Sequence, residues 1–264
     1  MLAGVYLAKK KDGTVYYRSN ITFQNKHISL GSFPTEQLAH QAYEEAGQIL
    51  NADITPGDYS INTFVLSFDK IISLMNFRDN HIYIKNPIYL HSNYFTYHLS
   101  PTEEFKFDID DLFFYSSHRI LRRRGHLYVN DYGMQVSLLS RYGIKSYGIC
   151  GRDYTFANGD STDYRYSNII VLSKYSGVTA VTQNGDIRYR TAIHINGNYN
   201  IGTYSTEAKA AVAYNKAVDF AHEYGIAKNF IQNYVVEYSA REYADIYTSI
   251  KISGKYLEYL KLRS

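Results

Sequence analysis

Two stretches of this chain repeat one another at long range. The first, "GVYLAKKKDGTVYYRSNITFQNKHISLGSFPTEQLAHQAYEEAGQIL", starts at Gly4. The second, "GVTAVTQNGDIRYRTAIHINGNYNIGTYSTEAKAAVAYNKAVDFAH", starts at Gly177. Each opens on Gly-Val and runs into a turn, KDG or NGD. Tyr17-Arg18 answers Tyr189-Arg190. From Gly31 and Gly202 onward the copies align without a gap: Phe33 with Tyr204, Thr35-Glu36 with Thr206-Glu207, Ala39 with Ala210, and Ala42-Tyr43 with Ala213-Tyr214. A repeat of this length constrains the fold strongly, because each copy must solve the same packing problem.

The local chemistry of the two copies agrees. "VYYRSNITF" and "IRYRTAIHI" alternate roughly with period two, as half-buried strands do. "QNK" and "NGN" supply Asn and Gly for turns. A third short strand follows in "HISLGSF" and "YNIGTY". Thr35 and Thr206 can then cap a helix, with Glu36 and Glu207 in the favourable first turn. In the second helix Ala210, Ala213, Tyr214 and Ala217 share one face at i, i+3, i+4, i+7, and the small Ala side chains let it lie close to a sheet. Each unit is expected to be three antiparallel strands with one helix packed across them.

Composition narrows the alternatives. The chain has 264 residues, enough for one to three domains, with 45% hydrophobic and 20% charged residues. It holds 29 Tyr and no Trp. A net charge of +3 permits a nucleic-acid partner without demanding one. The one cysteine, Cys150, rules out an intrachain disulfide and a Cys-rich zinc site. No stretch is apolar for the ~20 residues of a membrane helix, and the first residues lack a signal-peptide core, so the expectation is a cytoplasmic protein without a membrane partner.

The repeated frame of Gly-Val, turn, aromatic-Arg, hairpin, Leu/Ile-Gly, aromatic, Thr-Glu and Ala-Ala-Tyr resembles the plant APETALA-two/ethylene-response-factor DNA-binding domain and its relatives in phage and bacterial homing endonucleases. In that family the sheet enters the major groove of duplex DNA. The resemblance implies that Tyr17, Arg18, Tyr189 and Arg190 touch DNA. The family has Trp where this chain has Tyr17 and Tyr189. Plant members also carry more Arg on the first strand than "VYLAKK" or "VTAVTQ" does.

Between the copies, "TPGDYS" is a linker, while "INTFVLSFDKIISLMNF" and "HIYIKNPIYL" are short apolar elements, the second strand-like. From Glu104 onward the order of motifs resembles phage HNH endonucleases. Asn158-Gly159-Asp160 forms the loop, Asp163 and Arg165 the next turn, and Asn168-Ile169 replaces the family's Asn-Leu. Such a nuclease needs a base to activate water and an acidic ligand for its divalent metal. On this alignment the acid falls at Thr155, the base His at Phe156 and the His of "His-Arg-Leu" at Ser140; only Asn168 is retained. Phe156 accepts no proton, and Thr155 is a poor ligand for a hard cation. The motif therefore implies a nuclease scaffold without catalytic residues, metal or cofactor. Arg122, Arg123, Arg124 and Arg165 lie in segments that would meet the DNA backbone in those relatives. Cys150 is expected to be packed, and "DIDDLFF" to be a helix start or an acidic turn.

The expected fold class is α+β. Two sheet-plus-helix modules, residues 1–64 and 176–233, flank a central degenerate HNH-like (ββα) domain at 65–175. A helical tail at 234–264 caps the last module or supports dimerisation. Three functions compete: a catalytically inactive DNA-binding regulator encoded by a phage or mobile element, a phage inhibitor that binds a host defence nuclease, and an active endonuclease with displaced catalytic residues.

Overall fold

The computed structural model describes residues 1–58 and 64–263. Tyr59 and Ser60 of the expected linker, and residues 61–63 of the apolar stretch after it, lie outside the described residues. The protein is of mixed α+β class, with six described helices and five small sheets. Contacts gather it into two compact units, one of residues 1–135 with 160–168, the other of residues 136–159 with 169–264. The stretch 65–175 is thus divided between the two. No described helix is long and apolar enough to cross a membrane.

The first unit begins with strands β1 (Val5–Lys9), β2 (Val15–Phe23) and β3 (Lys26–Phe33), which form an antiparallel sheet in that order, crossed by helix α1 (Glu36–Asn51). Thr35 caps α1 by accepting the Leu38 N–H, and Glu36 stands in the first turn. Ile28, Leu30, Ala42, Ala46 and Ile49 pack between sheet and helix, together with Ile71, Ile72, Leu74 and Met75 of helix α2 (Phe68–Asn80). Two sets of polar contacts fix how α2 follows α1. The Glu45 carboxylate accepts the Val65 and Leu66 N–H groups, and Arg78 donates to the carbonyls of Ile49, Ala52 and Ile54. Arg78 thereby satisfies backbone acceptors that a helix end leaves open.

Strands β4 (Ile88–Leu90), β5 (Tyr94–Ser100) and β6 (Glu103–Asp108) make a second antiparallel sheet beside α2. Its inner face stacks Phe95 and Phe107 against Tyr115 of α3 (Leu112–Ser117), so "DIDDLFF" is indeed a helix start. Strands β7 (Ile120–Arg123), β8 (His126–Asp131) and β9 (Met134–Ser137) complete a third sheet.

In the second unit, β10 (Tyr154–Phe156) pairs with β11 (Ile169–Val171). Strands β12 (Val178–Gln183), β13 (Asp186–His194) and β14 (Asn198–Tyr204) then form an antiparallel sheet crossed by α4 (Glu207–Glu223), which Thr206 caps through the Lys209 N–H. Ala210, Ala213 and Ala217 are fully buried, as the Ala spacing predicts. Helices α5 (Ala240–Ser249) and α6 (Gly254–Lys261) pack on this module: Tyr256 and Leu260 are buried beside α4, and the Tyr256 hydroxyl donates to the Ala217 carbonyl at 2.7 Å. The tail therefore caps its own module.

The two copies agree in detail as well as in topology. Each has a bulge in its second hairpin, after Ser19 in one and after Thr191 in the other. The residue that follows, Asn20 or Ala192, donates its N–H to the carbonyl of Gly4 or Gly177. Both glycines have positive φ and lie against an aromatic ring, Tyr43 or Tyr214. Glu36 and Glu207 each accept a backbone N–H from the strand-leading segment, at Leu2 and Lys174. Neighbouring residues on a strand point to opposite faces, so each sheet has one face against its helix and one face open.

Candidate nucleic-acid interface

The open faces carry the candidate residues unevenly. Ser19 is fully buried, and Tyr17, two residues before it, lies opposite Phe33, which packs on the α1 core. Tyr17 is therefore on the helix side. Arg18 is on the open side, exposed, and opposite Tyr6 and Ser32. Its aromatic companion there is Tyr16: the guanidinium donates to the Tyr16 hydroxyl at 2.8 Å and lies 5.5 Å from the ring centre. In the second copy, Tyr189 packs against the core beneath α4, opposite Tyr204, while Arg190 faces outward opposite Thr179 and Thr203. Arg188 takes the place of Tyr16. The adjacent pairs Tyr17-Arg18 and Tyr189-Arg190 cannot present both side chains to one ligand. The outward groups are Tyr6, Tyr16 and Arg18 in one copy and Arg188 and Arg190 in the other. The period-two pattern contains this signal; the family frame, which pairs an aromatic with the next Arg, obscures it.

Of the three consecutive arginines, Arg122 is paired with Glu103 and lies over the Phe105 ring. Arg123 and Arg124 are exposed at the β7–β8 turn, where Arg124 and Gly125 both take positive φ, the backbone of a two-residue hairpin. Neither has an ion-pair partner among the described residues.

The loop that resembles the nuclease motif is held by its own hydrogen bonds. Residues 160–168 run beside β6: the Lys106 N–H donates to the Thr162 carbonyl at 3.0 Å, and the Tyr164 N–H to the Lys106 carbonyl at 2.8 Å. Asp160 accepts the Thr162 hydroxyl at 2.7 Å and its N–H at 2.9 Å, and pairs with Lys106 at 3.1 Å. Those hydrogen bonds, Thr162's first, bring its carboxyl down to about 2. Buried Asp163 receives two hydrogen bonds from Arg165, at 2.8 and 2.6 Å, and Arg165 also lies 5.5 Å from the Tyr94 ring centre. The guanidinium of Arg165 is thus engaged within its own loop.

Asn168, the metal-site position that the nuclease resemblance leaves unchanged, is buried and donates its amide to the carbonyls of Asp163, at 2.8 Å, and Asp160, at 3.4 Å. It fastens the strap. Thr155 and Phe156 form the middle and end of β10, and Phe156 is in the apolar interior. The Ser140 hydroxyl donates to the Ser137 carbonyl at 2.6 Å in a short helical turn. The ββα expectation meets a structural difference: β11 leads into β12 with no helix between them, because only "LSKYSG" separates the two strands. No group of three or more His, Cys, Asp or Glu side chains among the described residues is arranged to hold a metal. Cys150, expected to be packed, is exposed.

Asn168→Ala removes a donor from buried carbonyls, which costs about 1–3 kcal/mol. Urea denaturation should show that loss, whether or not Mg²⁺ is present. A metal-dependent change in stability would instead place a ligand role at this residue.

Compared with known proteins, the chain matches no family model, no curated protein and no solved structure.

Proposed function

We propose that the protein binds duplex DNA through the open faces of its two sheet-plus-helix modules. In this reading it is a catalytically inactive descendant of an HNH homing endonuclease, encoded by a phage or mobile element and acting in the cytoplasm as a regulator of DNA transactions. The observation that carries the reading is the duplicated module, whose two copies place an arginine at the same position on an open sheet face, Arg18 and Arg190. β-strands can enter the major groove, and an arginine there can bond the O6 and N7 acceptors of guanine. The exposed Arg123-Arg124 turn supplies backbone contacts. Phe156 and Thr155 offer neither base nor acid, which supports binding without cleavage.

A gel shift on mixed-sequence duplexes tests the reading. Binding should weaken steeply with salt, and Mg²⁺ or Mn²⁺ should not produce nicks. Arg18→Ala should remove ~1–3 kcal/mol of discrimination at one position of a selected site. Replacing Arg123 and Arg124 together by Ala should lower the salt slope by roughly two and weaken all sequences alike. Adding Arg122→Ala should change little more, since that side chain is already paired with Glu103. Absence of any shift at low salt defeats the reading. It would favour the second one, a host defence nuclease as partner, for which exposed Ile231, Tyr234 and Val236 provide an apolar contact surface.

A further inference from the structure

The open face of the second module contains a concavity of about 650 Å³. Thr179, Arg190, His194 and Asn200 of the sheet line one side, and Lys145 and Arg152, from the segment before β10, line the other. Those last two side chains are held in place. Asp153 is fully buried; Lys145 reaches one of its oxygens at 2.8 Å, and Arg152 the other at 2.8 Å. The Ile149 N–H also donates to Asp153, at 2.8 Å. Burial works to raise the Asp153 pKa, but the hydrogen bonds from Arg152, Lys145 and Ile149 outweigh it and keep the carboxylate ionised. Two cations share that one negative charge, which leaves one positive charge over; Arg190 adds another. The Arg190 and Asn200 side chains have no partner among the described residues. His194 Nδ1 is 2.9 Å from the Asn198 side-chain oxygen, which orients the ring at the rim.

We infer that this concavity is a phosphate-binding pocket, in which Arg190, Asn200 and Thr179 donate to the phosphate oxygens while Lys145 and Arg152 supply fixed positive charge. Asp153 is the positioning residue: it does not line the pocket but pins both cations. The inference rests on the proposed DNA reading only for where the phosphate comes from. In a complex with DNA, the pocket takes a backbone phosphate, so Arg190 holds the strand while Arg18 reads bases. The two copies of the module are then no longer equivalent. The chemistry fits because a phosphate oxygen accepts several charge-assisted hydrogen bonds at once, and rigid donors lose little entropy in making them. A sheet arginine flanked by two further cations is suited to an anion more than to the edge of a neutral base.

The test titrates the intact, isotope-labelled protein with inorganic phosphate, and separately with a short single-stranded thymidine oligonucleotide, following backbone amide resonances. Saturable shifts at Thr179, Arg190, His194 and Asn200 are expected with both. Arg190→Gln should weaken phosphate binding about tenfold or more. Because Arg190 is exposed and has no partner among the described residues, this variant should keep the wild-type spectrum elsewhere. Asn200→Ala provides an independent weakening of the same site. Lys145→Ala would instead disturb the buried Asp153. Shifts that are linear, or scattered over the surface, overturn the pocket. If phosphate and oligonucleotide bind while duplex gives no gel shift, the pocket stands and the duplex reading falls. If duplex binds and Arg190→Gln alters sequence preference with an unchanged salt slope, the pocket falls and the duplex reading stands.

Discussion

Gly177→Ala should destabilise the protein by about 2–5 kcal/mol. Two costs add. Gly177 sits at φ +71°, in the left-handed region, where an L-residue loses ~1–2 kcal/mol. A Cβ there would lie 2.1 Å from one Tyr214 ring carbon, 2.3 Å from another and 2.6 Å from the Ala192 carbonyl oxygen. Overpacking of this kind costs roughly 1–3 kcal/mol when neighbours can move. Here they move poorly: Tyr214 is buried on α4, and the Ala192 backbone is tied back to Gly177 by a 2.8 Å hydrogen bond. Gly4→Ala makes the matched control. The three atoms nearest its Cβ all belong to the ring of Tyr43, at 2.1–2.8 Å, and Tyr43 is less buried than Tyr214. Denaturant midpoints should therefore order wild type above Gly4→Ala above Gly177→Ala. If Gly177→Ala unfolds within ~0.5 kcal/mol of wild type, the glycine-tyrosine contact does not hold the module together.

That contact also shows why the repeat was readable in the sequence. The features that make each module are local and each uses a distinct residue type: a glycine where a Cβ cannot fit, a Thr at the helix start, Ala where the helix meets the sheet. Each leaves its letter in the chain, and the letters recur. The bulges after Ser19 and Thr191 left no such mark, because a bulge is decided by backbone pairing between strands. The outward faces were legible by alternation alone, which assigns Tyr16 and Arg18 to one side and Tyr17 to the other.

The loop from Asp160 to Asn168 was ambiguous in the sequence. Asn, Asp and Gly are what a metal loop needs, and also what a tight strap needs, since Asp and Asn bond nearby backbone groups readily. Asp160 with Thr162, Asp163 with Arg165, and Asn168 with two carbonyls make the second use of the same letters. The pocket beside Arg190 had no signal in the sequence at all. Lys145, Arg152 and Asp153 look like ordinary surface charges until the fold buries the aspartate and turns both cations toward the sheet.

Acid should weaken the protein between pH 6.5 and 4, and His98 should be a main cause. His98 lies on β5 opposite Glu104, is 5% exposed, and meets the edge of the Phe68 ring. Its Nε2 is 3.0 Å from the Thr96 hydroxyl. Burial first, and the neighbouring His91 second, push its pKa down to about 4. Glu104, 3.8 Å from Nδ1 and largely in solvent, does not reverse that. An unfolded chain takes up the proton near pH 6.5, and the folded chain near pH 4. Between those values the unfolded state binds more protons, so stability falls as the pH falls. It is fully present above pH 6.5. The accumulated loss by pH 4 is about 3 kcal/mol, at ~1.4 kcal/mol for each unit of pKa difference. Asp160, held at about 2, contributes its own loss only below this range, so the two effects separate on the pH axis. Urea midpoints measured at pH 7, 5.5 and 4 should decline steadily in the wild type and much less in His98→Gln, which keeps a polar group beside Thr96 but cannot be protonated. Equal declines in the two proteins would mean that His98 takes its proton in the folded state at an ordinary pH and that the interior of the second sheet admits water.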